Sequence, residues 1–214
     1  EQLMYLSRVE LDTTKRQTQI AMVSRNKFHG AVEMSFEREE GSRLRNLWRL
    51  DKLAGKTYLL LLSSKKPDLS GIVKQFGNPG SICETKSYDV LLDRITEQSV
   101  WRFRIVANPT KCEIRADGRG KRVAYRTCRE QEQWFLKQAE KNGFHIVGDN
   151  LEIVETTGLS FNKRYERIVR ALAVTYEGIL QVNDVEKFRK VLVEGLGREK
   201  AYGLGLLTVM RADL

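Results

Sequence analysis

The sequence predicts an α+β protein made of two βαββαβ units in tandem, each a split-βαβ sheet with two helices on one face. Three observations carry this. Apolar residues alternate with period two from Met4 to Leu11 and run without interruption from Thr57 to Leu62, the marks of a half-covered and a fully covered strand. Phe28, Val32 and Phe36 recur at i, i+4 and i+8, a helical stripe. The pattern then starts again at Val100, and 214 residues suffice for two domains of about 100 residues, which the pattern divides at 1–95 and 96–214.

The first strand, Met4 to Leu11, sets Tyr5, Ser7, Val9 and Leu11 on one side and Met4, Leu6 and Arg8 on the other. A helix follows over Ser24 to Phe36, with Ser24 able to cap its free N–H groups. Leu44 to Leu50 alternates as a second strand and Thr57 to Leu62 is the third. Asp68 to Phe76 reads as a short helix after Pro67, and Tyr88 to Leu92 closes the unit as a strand. In the second half Val100 to Ala107 is a strand, and Thr127-Cys128-Arg129-Glu130 is a capping box opening a helix that ends at Gly143. Strands are expected at Leu151 to Glu155, Ile168 to Tyr176 and Ile179 to Val182, the last two separated by a tight turn at Glu177-Gly178. Asn183 then caps a helix that buries Val185, Phe188 and Leu192, and Leu204 to Met210 is the last strand. Lys111 to Tyr125 and Gly158 to Arg167 exceed this minimal plan, and both are basic.

Lys and Arg outnumber Asp and Glu by 37 to 28, a net charge of +9. The excess is clustered: Arg102, Arg104, Lys111, Arg115, Arg119, Lys121, Arg122, Arg126 and Arg129 form one group, and Lys163, Arg164, Arg167 and Arg170 a second. Such clustering favours a polyanionic partner, nucleic acid above all. A four-stranded sheet of this kind also serves RNA-recognition modules, but the aromatic signature of those strands is missing, so RNA would be held by phosphates and helix shape rather than by bases stacked on the sheet. Three cysteines without CxxC spacing argue against a disulfide framework or a zinc knuckle and suggest a reducing compartment. Met4 reads as the natural start, and no apolar run is long enough for a signal peptide or a bilayer span. A soluble cytoplasmic protein without membrane contact is expected.

Gly195, Gly197, Gly203 and Gly205 surround Arg198 and Lys200, a loop able to turn several N–H groups toward a phosphate backbone. Its spacing is not that of an ATP-binding loop or a dinucleotide fingerprint. The same glycines also suit a plain tight loop between helix and strand, and the residues alone leave both readings open. Of the two histidines, His145 stands between a helix end and a strand and reads as structural. His29 lies near the start of the first helix, where Arg25 and Lys27 add positive charge to the positive end of the dipole, a conflict that an anion would relieve; the residues alone equally suit a plain surface histidine beside the helical stripe. No carboxylate cluster with histidine at metal-ligand spacing is present, and no GxSxG elbow. RNA cleavage without metal or cofactor remains. It needs a base for a ribose 2′-OH, an acid for the leaving 5′-oxygen and cations for the phosphate, and an imidazole can give or take a proton near neutral pH.

Met4-Tyr5-Leu6-Ser7, the helical histidine, Arg102-Phe103-Arg104-Ile105-Val106-Ala107-Asn108-Pro109-Thr110-Lys111, Gly120-Lys121-Arg122-Val123 and the terminal glycine loop together resemble the CasE (Cse3) family of type I-E CRISPR RNA-processing endoribonucleases, within the RAMP superfamily. The resemblance spans essentially the whole chain. It implies a tandem ferredoxin-like fold that binds the stem-loop of a CRISPR repeat and cuts at the 3′ base of the stem without metal, leaving a 2′,3′-cyclic phosphate and a 5′-OH. It also implies that the mature guide RNA stays bound and that the protein joins the other Cascade subunits. His29 matches the family's catalytic histidine. The tyrosine some members carry three residues earlier is Asn26 here, and a lysine five residues later is Met34, which leaves Lys27 as the candidate for phosphate stabilisation. Asn162, Lys163, Arg164 and Arg167 fall where the family inserts a hairpin into the RNA major groove. Lys111, Arg119, Lys121 and Arg122, with Arg25, are then expected on phosphates, and Arg198 and Lys200 beside the cut strand. A non-catalytic RAMP scaffold that only holds RNA is the alternative.

Overall fold

The computed structural model describes residues 3–37, 46–163 and 167–212. Its first sheet holds β1 (Tyr5–Leu11), β2 (Leu47–Leu53), β3 (Lys56–Ser63) and β4 (Cys83–Ser87) in the antiparallel order β2-β3-β1-β4. The second holds β5 (Val100–Ala107), β8 (Phe144–Lys163), β9 (Arg167–Val182) and β10 (Thr208–Arg211) in the order β10-β5-β9-β8. Numbered within each half, both sheets place strand three between one and two, and strand four beside one. The fold is tandem ferredoxin-like, as the sequence suggests. A separate two-stranded hairpin, β6 (Thr110–Ile114) and β7 (Gly120–Ala124), occupies the first of the two basic excess stretches.

The uninterrupted run of β3 follows from its surroundings. Leu59 and Leu61 face a core with Val9, Leu11, Phe28, Val32, Ile72 and Phe76, under helices α1 (Arg16–Val23), α2 (Asn26–Glu33) and α3 (Ser70–Phe76). Leu60 and Leu62 face the other way, into a core shared with Trp101, Phe103 and Ile105 of β5. In the second half α5 (Cys128–Lys141) and α6 (Val185–Glu194) bury Phe135, Ala139, Phe188, Val191 and Leu192 in that same core. Phe135 stacks on Phe103 at 5.3 Å between ring centroids. The largest core is thus common to both halves. Arg49 strengthens the junction: its guanidinium is 2% exposed, forks onto Asp51 at 2.7 Å twice, and donates to the carbonyls of Arg104 (2.8 Å) and Leu206 (2.9 Å) and to the Thr208 hydroxyl (2.8 Å). A fully satisfied guanidinium is what burial of that charge demands.

Five local expectations are corrected. The single helix over Ser24 to Phe36 is the shorter α2, and an additional helix, α1, precedes it; Ser24 ends α1 instead of capping α2. α1 buries only Thr18 and Ala21 and leaves Ile20 and Val23 exposed, so it carries no apolar stripe to read. Tyr88 to Leu92 is not a strand: β4 ends where pairing with β1 stops at Tyr5↔Ser87, and the chain turns into the short helix α4 (Asp89–Leu92), whose Asp89 carboxylate accepts the Met4 N–H. Glu177-Gly178 is no turn, and β8 and β9 are continuous. Gly178 sits mid-strand between Phe103 and Leu151, and a Cβ there would lie 1.9 Å from the Asn150 carbonyl oxygen, where β8 bulges between Ile146 and Leu151. The glycine permits close approach of a bulge. The cap of α6 is Asp184, whose carboxylate accepts the Lys187 N–H, and not Asn183. Finally, β10 starts only at Thr208, because Gly203 and Gly205 hold positive φ angles of 81° and 91° that interrupt extension. The capping box at Thr127 and Glu130 is present in full.

Candidate active site and nucleic-acid interface

α2 has two faces with different duties. Phe28 is buried against Phe76 and Trp48, with centroids 4.9 and 5.7 Å apart, and fixes the helix to the first sheet. The next residue, His29, therefore points away from that core. It is half-buried, and its ring lies 5.5 Å from the ring of Tyr202, tilted by 50°. Among the described residues neither imidazole nitrogen has a protein hydrogen-bond partner. Tyr202 itself stacks on Phe161 of β8 at 4.0 Å and 22°. Both belong to a small third core with Val106, Ala171, Ala173 and Leu204, which supports the β8–β9 ribbon where it extends past the end of β5. The histidine thus leans on an aromatic pair supplied by two other parts of the chain.

Further contacts close the junction. Asn26 donates from its side chain to the Asn162 carbonyl, which ties the β8–β9 ribbon to the first turn of α2. Trp48 donates its indole N–H to the Ala201 carbonyl at 3.0 Å, fastening β2 to the 3-10 turn Lys200–Tyr202. Arg25 places its guanidinium 5.7 Å from the Trp48 ring, and a Cβ on Gly203 would come within 2.9 Å of its Nη1. Burial pushes this guanidinium down to about 10, and its sealed Nε finds no acceptor. The N–H groups of Lys27 and His29 bond back to the Ser24 and Arg25 carbonyls, so this helix start offers fewer free donors than the sequence suggests.

The predicted cations are distributed unevenly. His29, Arg25 and Lys27 share the start of α2, with Lys27 exposed, and the ribbon brings Asn162 to them. Lys163 and Arg167 are placed by backbone only, at the end of the ribbon, and Arg164 lies outside the described residues. Arg198 is exposed on the glycine loop. Lys200 donates to the Glu194 and Gly195 carbonyls at 2.8 and 2.9 Å, closing the end of α6. Within the loop Leu196 N–H donates to Gly205 and Gly205 N–H to Val106, so those amides serve the fold. Lys111 is tied to Glu113 at 3.2 Å and lies 5.5 Å from the Tyr125 ring, which, led by the Glu113 hydrogen bond, holds its ammonium pKa above the ordinary value. Arg119, Lys121 and Arg122 stand exposed on the β6–β7 hairpin, away from the α2 cluster in the chain. His145 is engaged, with Nδ1 2.8 Å from Asn183 Oδ1. Tyr202, Phe161 and Trp48 are the site residues that sequence reasoning missed; the only hint was an aromatic residue inside the glycine loop. No group of three or more His, Cys, Asp and Glu side chains among the described residues is arranged to hold a metal ion. No helix of the described residues is long and apolar enough to cross a membrane.

The chain and its fold are similar to known proteins. The CRISPR-associated endoribonuclease Cse3 of Thermus thermophilus is 29% identical to this chain over 96% of it and 99% of the relative. The structure of Thermus thermophilus Cse3 bound to an RNA representing a pre-cleavage complex superposes with a TM-score of 0.82 at 29% identity, covering 97% of this chain and 99% of that one. The Escherichia coli Cas6e crystal structure, at 18% identity and a TM-score of 0.61 over 97% of this chain and 100% of its own, shares the fold. A family model described as CRISPR associated protein matches residues 4–211, and by that match over nearly its whole length the chain belongs to this family.

Proposed function

We propose that the protein is an endoribonuclease that binds the stem-loop of a CRISPR repeat and cuts at the 3′ base of the stem, with His29 moving the proton. The observation that carries this reading is an imidazole with both nitrogens unengaged among the described residues, braced by Tyr202 and flanked by Arg25, Lys27 and the basic ribbon. The 29% identical relative is named an endoribonuclease, and the relative of highest quoted TM-score was captured with RNA in a pre-cleavage complex, which supports the same substrate class here. In the reaction the ribose O2′ forms a bond to the adjacent phosphorus as the P–O5′ bond breaks. The O2′ proton leaves to a base and a proton is delivered to O5′, giving a 2′,3′-cyclic phosphate and a 5′-OH. His29 serves one of these transfers, and Lys27 and Arg25 offset the charge that gathers on the phosphoryl oxygens. Arg25 would meet the phosphate through its terminal guanidinium nitrogens, since its Nε is sealed from solvent. Asn162, Lys163, Arg164 and Arg167 hold the stem, with phosphates further along on Lys111, Arg119, Lys121 and Arg122 and on Arg198 and Lys200. As the family resemblance implies, the guide RNA stays bound and carries the protein into the Cascade assembly.

The test is incubation of the protein with its own repeat RNA in excess EDTA, followed by mapping of the product ends. A cyclic phosphate on the upstream fragment is expected. RNA that is bound and left intact, with or without added metal, would instead establish the non-catalytic scaffold.

A further inference from the structure

Between β7 and the outer face of α5 lies a depression lined by Arg122, Tyr125, Glu130, Trp134, Lys137 and Lys141, of which only Trp134 also packs against the core, with one side of its ring. Residues 130, 134, 137 and 141 follow the helical repeat and share one side of α5, opposite Gln131, Phe135 and Ala139, which are buried. Two observations single the depression out. Its cations are uncompensated: Arg122, Lys137 and Lys141 have no carboxylate partner among the described residues. The one acid present, Glu130, is already engaged by the Thr127 hydroxyl at 2.8 Å and amide, with Lys111 at 4.0 Å. Lys137 and Lys141 are moreover like charges four residues apart, an arrangement unfavourable to the free helix.

The second observation is the tryptophan. Trp48 and Trp101 are buried and donate their indole N–H groups to Ala201 O and Ser99 Oγ. Trp134 is only half-buried, leans on Tyr176 at 6.3 Å, and has no acceptor for its N–H among the described residues. An indole beside three unpaired cations is the combination that binds single-stranded nucleic acid, where a base stacks and its phosphates meet the charges. A duplex would not use the indole, since its bases are already stacked on one another. The depression is also joined to the candidate active site. A Cβ on Gly197 would stand 3.5 Å from the Trp134 ring, while Tyr202, at the other end of the same loop, lies against His29.

We propose that this depression is a subsite for a single-stranded RNA segment leaving the folded stem, with one base against Trp134 and its phosphates on Lys137, Lys141 and Arg122. The proposal rests on the RNA-binding reading above. A strand that runs from His29 along the glycine loop past Arg198 arrives at Trp134.

The experiment uses the uncleaving His29→Ala protein and three labelled probes: the bare repeat stem-loop, and the same stem-loop with a uridine tail of about six nucleotides at its 5′ or its 3′ end. One tail should tighten binding about tenfold and quench tryptophan fluorescence. Lys137→Ala/Lys141→Ala should abolish most of that gain, lower the salt-dependence slope for the tailed probe by about 1.4, and keep the affinity for the bare stem-loop. Trp134→Ala should abolish the quenching as well, and the exposed lysine pair answers any objection that this variant has loosened Tyr176. If neither tail tightens binding, or if the lysine variants weaken tailed and bare probes equally, the subsite is refuted while the stem reading stands. If the protein binds none of the probes, both readings fall.

Discussion

Phe28-His29 and Phe144-His145 are the same dipeptide in two surroundings. Each phenylalanine is wholly buried and pins its segment to a core. In α2 the next residue is rotated about 100° round the helix, which carries His29 to the junction of α2, the β8–β9 ribbon and the glycine loop, with both nitrogens open among the described residues. In β8 the next residue points to the opposite face of the sheet, and His145 there finds Asn183, the residue just before the α6 cap, and spends Nδ1 on it. The difference teaches that a reactive imidazole is made by what leaves it unengaged. Tyr202 supplies a ring and no competing acceptor, so it fixes the position of His29 without consuming a nitrogen.

The sharpest way to break the comparison, short of the histidine itself, is to remove the brace. Tyr202→Leu deletes the ring that meets both His29 and Phe161, and single-turnover cleavage of the repeat RNA should fall by about tenfold to a hundredfold, with the thermal midpoint lowered. Tyr202→Phe keeps the ring and should keep most of the rate. An equal loss in both variants would mean that the hydroxyl, and not the ring, is what counts.

A smaller and opposite effect is expected at Arg25. Its buried Nε without an acceptor costs about 1–3 kcal/mol, so Arg25→Met should leave the free protein as stable or about 1 kcal/mol more stable in urea unfolding while weakening RNA binding. Lost stability together with unchanged RNA affinity would make Arg25 a structural residue. At high pH the sign follows from the depressed guanidinium. The folded protein gives up this proton near pH 10, before the unfolded chain does, so stability should rise with pH from there to the ordinary arginine range, and the rise should vanish in Arg25→Met.

The smallest effect belongs to α5, remote from His29 in function. Thr127→Ala removes half of the capping box and should cost about 1 kcal/mol without changing the cleavage rate. The hydroxyl and amide of Thr127 hold the Glu130 carboxyl below its ordinary value. Its contribution is therefore complete above the unfolded carboxyl's pKa and is lost as pH falls through the lowered folded one. A melting series toward acid should show wild type and Thr127→Ala converging.

The comparison also shows what could be read without a structure. The alternation of Met4 to Leu11, the uninterrupted run at β3 and the capping box at Thr127 were legible because each is a local pattern with one physical meaning. Gly178 was not, because a glycine that admits a bulge and a glycine that turns the chain look alike until the neighbouring strand is known. α1 was hidden by polar composition, and β10 was overextended because Leu204, Leu206 and Leu207 are buried without being a strand. At the candidate site, the sequence placed His29 with Arg25 and Lys27 near the start of a helix, and the structure has them there. Tyr202, Phe161 and Trp48 were not legible, since their roles are contacts between segments far apart along the chain.

The account stands most directly on His29→Ala and His145→Ala, compared on the same repeat RNA with binding and single-turnover cleavage measured on the same samples. His29→Ala should bind normally and cut slower by about a hundredfold to ten-thousandfold, while His145→Ala should cut within about twofold of wild type. Cleavage at the normal rate by His29→Ala would contradict the account, whatever its RNA affinity.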